Sequence, residues 1–215
     1  MPNTSHPEAC APLRADAARN RTKVIEAACE QFRQGGLDIP LEDVAKAAGV
    51  GIATLYRRFP TREELIAAVF EELFASYRPV LEDAVGQDDP WTGVVRLVNG
   101  LCALQAAGAG LGDLVALRFP SSPAMEQLRL HVESQLEGLL DRARASGQLR
   151  PDADLSDLML IFLGNAEVVR RTAQHAPDAW QRYAALQLES LRARPDAAPL
   201  PAPLTAEQRV AVLKR

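Results

Sequence analysis

Apolar residues recur at three- and four-residue steps through most of the chain, and this helical period constrains the fold more than any other feature. The pattern indicates helices from about Asp16 to Gly35, then over 41–48, 52–58, 62–77, 91–107, 124–145, 154–173 and 177–194. Pro79 is expected to kink or end the fourth of these helices. No segment sustains the strict apolar–polar alternation that is typical of a half-buried strand. The sequence therefore predicts an all-α fold.

Two of the predicted helices are short and follow each other closely, with a glycine between them. Val44 provides a core-facing residue in the first short helix, and Gly49 allows the chain to reverse sharply after it. In the second short helix Leu55 is followed four residues later by Phe59, and this pair can anchor the helix against a core. Two short helices joined by a tight turn that contains glycine are typical of a helix-turn-helix unit.

The other side of the second short helix carries side chains that suit nucleic acid. A short hydroxyl, a phenol and two guanidinium groups can contact phosphates and base edges, and they belong to Thr54, Tyr56, Arg57 and Arg58. Arg62 begins the next helix, where a cation and unpaired backbone N–H groups favour a phosphate. The start of the first helix offers a clamp for flanking phosphates, made of Arg19, Arg21, Thr22 and Lys23. An ordinary solvated helix face is the alternative, and the turn between the short helices favours DNA binding.

The overall charge gives little support to this interpretation. The chain has 24 Lys and Arg residues against 28 Asp and Glu residues, which gives a formal net charge of −4. Residues 1–65 balance to zero, so the predicted DNA-binding part is neutral rather than basic. What decides phosphate binding is therefore whether its cations share one face.

Several other classes of protein are disfavoured by what the sequence lacks. No apolar run approaches the roughly 20 residues needed to cross a bilayer. The N-terminus has no basic stretch before an apolar core, so a cytoplasmic location is expected. Cys10, Cys29 and Cys102 are odd in number and lack zinc-ligand spacing, which predicts neither a disulfide framework nor a metal site. No hydrolase, metalloprotease or dinucleotide-binding motif is present, so we expect neither an enzyme nor a resident cofactor.

The segment with these features resembles the N-terminal domain of the tetracycline-repressor (TetR) family of regulators. The similarity covers residues 20–70 and includes VIEAACEQF, LEDVAKAAGVGIATLYRRF and TREELIAAV. It implies a recognition helix from Ile52 to Arg58 in the major groove of DNA, with contacts from Thr54, Tyr56, Arg57 and Arg62. Two positions depart from the family pattern. Gly51 replaces a usual serine or threonine, which removes one potential DNA contact, and Pro40 stands where a Ser/Thr cap often precedes the second helix.

Residues 90–194 resemble the family only in style, with four or five amphipathic helices. In the family this region binds a small effector and dimerises through its last two long helices. Candidates for the effector site are polar or aromatic residues on apolar helix faces: Trp91, Cys102, Gln105, Arg118, His131, Phe162 and Asn165. Asn165 is the most suggestive because a buried amide needs a partner, although a backbone carbonyl or a dimer mate would serve equally. Excess apolar bulk predicts a homodimer surface at Trp180, Tyr183, Leu186 and Leu191.

These observations predict four parts of the chain. They are a disordered leader (1–15), a three-helix helix-turn-helix domain (16–62), a helical effector-binding and dimerisation domain (63–194) and a proline-rich tail (195–215), with 86–90 as the clearest turn between modules. The predicted function is a sequence-specific regulator, a repressor of a pseudo-palindromic operator under the control of a small molecule. A constitutive DNA-binding protein would have a collapsed C-terminal cavity. An enzyme, a carrier or a structural interaction protein would have no use for the arginine-rich face.

Overall fold

The computed structural model describes residues 11–108 and 123–213, and within these ranges it has nine helices and no strand. The helices are α1 (Ala11–Gly35), α2 (Leu41–Ala47), α3 (Ile52–Arg58), α4 (Arg62–Val85), α5 (Pro90–Ala106), α6 (Pro123–Ala145), α7 (Leu155–Thr172), α8 (Ala179–Leu191) and α9 (Ala206–Leu213). The all-α prediction is confirmed. None of the described helices is long and apolar enough to cross a membrane.

The chain forms two compact units, and the boundary between them falls after Glu72, inside α4. This position differs from both predicted boundaries, which lay at residue 62 and at the turn 86–90. A continuous helix leaves no turn signal in the sequence, so the pattern of turns could not place the boundary there.

The N-terminal unit (residues 1–72) is built around a small apolar core. Each of its four helices contributes buried residues at helical spacing, and the most fully buried are Val24, Phe32, Val44, Leu55, Leu65, Val69 and Phe70. The side chain of Thr61 caps α4, because its Oγ accepts a hydrogen bond from the N–H of Glu64 at 3.2 Å. Because α2 and α3 are too short to be stable as isolated helices, the packing of their buried residues in this core is what stabilises them.

The C-terminal unit (residues 73–215) has a larger core in which α5, α6, α7 and α8 meet. Its most buried residues include Val94, Leu97, Val98, Cys102, Leu139, Leu158, Ile161 and Ala184. Aspartates cap two of these helices: Asp89 accepts from the N–H of Thr92, and Asp154 forms a reciprocal capping box with Asp157. The caps fix where α5 and α7 begin, and both helices carry the polar cluster described below.

Two helices extend beyond their predicted ends. The first begins at Ala11 rather than near Asp16, so part of the predicted leader is helical; proline at position 12 is compatible with a first helical turn. The fourth passes through Pro79 and ends at Val85, whereas we expected it to kink or end near Tyr77. Tyr77 and Leu81 are both buried in the core on either side of Pro79. This packing offsets the hydrogen bond that proline cannot donate.

The proline-rich tail is non-helical up to residue 205, and it is bonded to the turn between α6 and α7 and to the first turn of α7. Arg150 donates from Nη2 to the carbonyl of Ala198 at 2.8 Å. The N–H of Leu200 donates to Asp152 Oδ2 at 2.8 Å, and the N–H of Leu204 donates to Ser156 Oγ at 3.2 Å. The tail therefore has specific partners in the fold, which its proline content alone could not indicate.

Candidate nucleic-acid interface and buried polar cluster

The turn between α2 and α3 depends on one glycine. Gly49 has φ of +66°, a left-handed conformation that side-chain-bearing residues rarely adopt. Around it the N–H of Val50 donates to the carbonyl of Ala45 at 3.0 Å, and the N–H of Gly49 donates to Lys46 at 3.1 Å. These bonds satisfy carbonyls at the end of α2 and turn the chain into α3. No side chain caps α2 or α3, in agreement with proline at position 40 and glycine at position 51.

One side of α3 is held in the core of the N-terminal unit. Leu55 is fully buried and Phe59, just after the helix, is 4% exposed. The guanidinium of Arg21, near the middle of α1, lies 5.8 Å from the centroid of the Phe59 ring, within the range of a cation–π contact. These contacts fix the rotation of α3 about its axis, and they decide which of its side chains face solvent.

The solvent-facing side of α3 carries four of the predicted DNA-binding residues. Tyr56 is 45% exposed and Ile52 is 36% exposed, although both are large and partly apolar. Arg57 and Arg58 are also exposed, and within the described part of the chain neither forms an ion pair or a hydrogen bond. Thr54 is half-buried. The helix thus presents two uncompensated cations beside a phenol and an aliphatic side chain.

Arg62 occupies a different environment from the one that we predicted. Its Nη1 donates to the carbonyls of Leu37 and Ile39, at 2.7 Å in each case, and its side chain is half-buried. The residue thus fastens the start of α4 to the loop before α2. Arg21 and Thr22 are exposed on α1, where they were predicted to clamp the flanking backbone.

Four of the predicted effector residues meet in the C-terminal unit, between α5 and α7. Gln105 is 6% exposed and Asn165 is fully buried, and the Nδ2 of Asn165 lies 2.6 Å from the Oε1 of Gln105. Gln105 Nε2 donates to the carbonyl of Phe162 at 3.1 Å, and Asn165 Nδ2 approaches the carbonyl of Cys102 at 3.4 Å. The Oδ1 of Asn165 has no hydrogen-bond partner within the described residues. We call Cys102, Gln105, Phe162 and Asn165 the buried polar cluster.

The hydroxyl of Tyr183, on α8, lies close to this cluster. A Cβ atom added at Gly164 would be only 2.1 Å from Tyr183 Oη, so glycine is what allows the ring to approach α7. Burial raises the pKa of Tyr183, with a smaller contribution from Cys102. Burial also raises the pKa of the Cys102 thiol to about 12. The Tyr183 and Cys102 side chains are therefore uncharged at neutral pH. Nothing in the sequence indicated that Gly164 makes room for Tyr183.

Of the other predicted effector residues, Trp91 and His131 are not part of the cluster. Trp91 is buried 14 residues before Gln105 on the same helix, roughly 21 Å away along its axis. The guanidinium of Arg192 lies 4.5 Å from its ring centroid. His131 is exposed on α6, and Arg118 lies outside the described residues. A surface cavity is lined by none of the predicted residues; it lies beside the tail, against Arg150, Glu189, Ser190, Arg192, Arg194, Asp196, Ala197 and Ala198.

The residues predicted at a dimer surface divide into two groups. Leu186 is 57% exposed on α8, and Leu160 on α7, which the sequence analysis did not select, is 51% exposed. Trp180 and Tyr183 pack against the core of their own unit, and Leu191 is only 4% exposed. Leu191 therefore serves the core of its own chain and offers little surface to a partner. Within the described residues, no group of His, Cys, Asp and Glu side chains could hold a metal ion.

Comparison with known proteins gives matches to both units. Residues 24–69 match the model of bacterial regulatory proteins of the tetR family, and residues 89–193 match the C-terminal domain of SbtR-like transcriptional regulators. Together the two models span more than two thirds of the chain. The transcriptional repressor KstR2 of Mycolicibacterium smegmatis is 26% identical in an alignment of 159 positions, which covers 68% of this chain and 75% of the relative.

Two further matches agree with this result. The nucleoid occlusion factor SlmA of a Marinomonas species is 27% identical over 143 residues, covering 61% of this chain and 71% of SlmA. The crystal structure of a TetR family transcription regulator from Marinobacter aquaeolei superposes with a TM-score of 0.66 at 17% identity. That alignment covers 84% of this chain and all of the other, so the two proteins share their fold.

Proposed function

The chain belongs to the TetR family of bacterial regulatory proteins, and from this premise we propose that it is a transcriptional repressor whose affinity for its operator is controlled by a small molecule. Membership in the family makes it a DNA-binding regulator rather than an enzyme. The name of the Mycolicibacterium relative, a transcriptional repressor, supports repression as the direction of control. The effector is proposed to bind in the C-terminal unit.

The exposed face of α3 is the observation that carries the DNA-binding part of this proposal. Leu55 and Phe59 are buried, so the opposite side of the helix must face solvent. There Arg57 and Arg58 carry charges that no carboxylate of the described chain neutralises. Arginine can donate two hydrogen bonds to a guanine edge, and tyrosine and threonine hydroxyls can bond phosphates. We propose that Thr54, Tyr56 and Arg57 contact the bases and backbone of the major groove, with Ile52 packing beside them.

A homodimer is the proposed form that binds DNA. With seven residues, α3 is only about 10 Å long and reads too few base pairs for useful specificity. Two copies related by a two-fold axis would read two half-sites, which requires a pseudo-palindromic operator. The exposed leucines Leu160 and Leu186 lie on α7 and α8, and they supply apolar surface for the pairing of two chains.

A gel-shift experiment with the full chain and DNA from its own upstream region tests the interface. We expect Arg57→Ala and Tyr56→Ala each to weaken specific binding by roughly tenfold to a hundredfold, because each removes a contact worth about 1–3 kcal/mol. Arg96→Ala is the matched control, since Arg96 is an exposed arginine of α5 whose partner is Asp83. Circular dichroism and the mass of the dimer should be unchanged in all three variants. If both α3 variants retain full affinity, α3 does not read DNA in this protein.

The same assay separates the regulated repressor from a constitutive DNA-binding protein. Addition of metabolites to the complex in defined salt should identify a compound that releases the DNA, because a ligand acts through its differential affinity for two conformations. Specific binding that no compound releases would favour the constitutive alternative. The buried polar cluster supports the regulated form, since a core built only for stability has little need of two facing amides.

A further inference from the structure

The orientation of the two buried amides is fixed by backbone carbonyls. Phe162 and Cys102 present carbonyl oxygens, which can only accept hydrogen bonds. Gln105 must therefore turn its NH₂ group toward Phe162, which leaves its Oε1 facing Asn165. Asn165 must in turn direct its NH₂ group toward Gln105 and Cys102. Rotating either amide by 180° would place two acceptors against each other, so the arrangement has one consistent solution.

This solution leaves one acceptor unpaired in the interior of the C-terminal unit. The Oδ1 of Asn165 receives no hydrogen bond from the described residues, although its side chain is fully buried. Buried polar atoms without a partner are rare in folded proteins, because each loses its hydration and gains nothing in return. Asn165 Oδ1 is thus a buried acceptor that could bind an O–H or N–H donor.

Among the described residues, the side chains that meet at the cluster carry no formal charge. They are a thiol, two amides and the ring of Phe162, with the phenol of Tyr183 close by, and the apolar core of the unit adjoins them. An ion placed here would lose its hydration and meet no opposite charge, which is costly in a protein interior. An apolar molecule with one neutral O–H or N–H group would donate the missing hydrogen bond to Oδ1 and would bring no charge into the core.

We infer that Asn165 anchors the effector, and that the effector is an uncharged, largely apolar molecule that presents one hydroxyl or N–H group to Asn165 Oδ1. This inference rests on the proposed function, since it names the class of ligand that the C-terminal unit takes. Gln105 acts as a positioning residue, because it holds the NH₂ group of Asn165 and thereby aims the oxygen. Tyr183 lies beside α7 close to the cluster, where Gly164 admits its ring.

Two isomeric probes test the inference on the unmodified chain. Decanol and methyl nonyl ether have the same atoms, but only decanol can donate a hydrogen bond. Titration calorimetry should show that decanol binds at least about tenfold more tightly, which corresponds to about 1.4 kcal/mol. Decanoate, an anion of the same length, should bind more weakly than decanol.

Two variants locate the effect. Asn165→Leu removes the acceptor and keeps the same branching and number of non-hydrogen atoms, and the two isomers should then bind with similar affinity. Asn99→Leu removes an exposed amide from α5 and should preserve the preference for decanol. Circular dichroism checks that each variant folds, and the comparison of the isomers on the parent chain needs no variant.

The outcomes separate this inference from the proposed function. Equal affinities of the two isomers for the parent chain, or no binding of either, would overturn the inference, because the oxygen would then bond to water or to nothing. A preference for decanol that survives Asn165→Leu would also overturn it. Operator binding is measured on the same preparation of the parent chain. Failure to bind the operator would contradict the proposed function. Operator binding together with equal affinities for decanol and the ether would contradict only the inference about Asn165.

Discussion

Replacing Arg62 by alanine should destabilise the N-terminal unit, because this guanidinium is a structural clamp. Its Nη1 donates two hydrogen bonds of 2.7 Å, to the carbonyls of Leu37 and Ile39. A hydrogen bond to a charged group contributes about 1.5–3 kcal/mol. The side chain is half-buried and water can replace part of each bond, so we expect a loss of about 2 kcal/mol for the pair. For a chain of this size that loss lowers Tm by roughly 4–8 °C.

Thermal unfolding followed by circular dichroism measures this change, with three variants side by side. Arg62→Ala should show the full decrease, and Arg62→Lys should recover only part of it, because an ammonium group lacks the planar fork of arginine. Arg58→Ala is the control, since Arg58 is exposed and bonds to nothing in the described chain. If Arg62→Ala melts within about one degree of the parent chain and yet loses DNA affinity, Arg62 is a phosphate contact and our structural reasoning is wrong.

Two further predictions concern the C-terminal unit. A Cβ at Gly93 would be 2.5 Å from the carbonyl of Ala84 and 2.8 Å from Leu139 Cδ1, so Gly93→Ala should lower the free energy of unfolding by about 1–3 kcal/mol in urea. Gly138→Ala, in open space on α6, should instead raise it by about 0.5–1 kcal/mol; equal effects would contradict the packing. Arg150 and the Leu200 N–H lower the pKa of Asp152 from 3.8 to about 2, so the bond to the tail is present above pH 4 and is lost as the pH falls toward 2. The protection of the Leu200 amide against hydrogen exchange, relative to an unstructured peptide at the same pH, should fall with this loss. In Asp152→Asn the protection should no longer change between pH 4 and 2; a profile identical to that of the parent chain would exclude Asp152 as the anchor.

The helix-turn-helix was accessible from the sequence because its determinants are local. The predicted limits of α3 match the observed ones, Ile52–Arg58. Gly49 indicates the turn, and the four-residue spacing of Leu55 and Phe59 indicates which side of the helix is buried. The limits of α4 were less accessible, because Pro79 is a local signal for a break and the contacts that override it are tertiary. Nothing near Pro79 in the sequence reports that Tyr77 and Leu81 are buried.

Individual side-chain roles were harder to predict than the elements that carry them. Arg62 begins a helix, and from this position the sequence predicted a phosphate contact rather than a structural clamp. The carbonyls that it bonds, on Leu37 and Ile39, lie more than 20 residues earlier and become neighbours only in the fold. Leu191 likewise added apolar bulk to α8, and only the packing of the core showed that its side chain faces its own chain.

The sequence raised the question of what Asn165 binds, and the structure answers part of it. An amide within an apolar helical stretch predicts a buried group that needs a partner, which from the sequence could be an effector, a backbone carbonyl or a dimer mate. The structure supplies the carbonyl of Cys102 and adds Gln105, a second candidate from 60 residues away. Because these partners use only the NH₂ group, the question that the sequence raised now applies to the single atom Oδ1.

The acidic character of the chain and its role as a DNA-binding regulator are compatible because charge acts locally. Charges are screened over about 8 Å at physiological ionic strength, a distance shorter than the α3 helix itself. A phosphate beside α3 therefore experiences Arg57 and Arg58 rather than the net charge of −4, to which residues 66–215 contribute the entire deficit. No acidic residue lies between Gly51 and Arg62 in the sequence, so α3 has a local excess of two positive charges. The acidic remainder weakens non-specific attraction to DNA, and we therefore propose that the affinity of this protein comes from correctly placed contacts on α3.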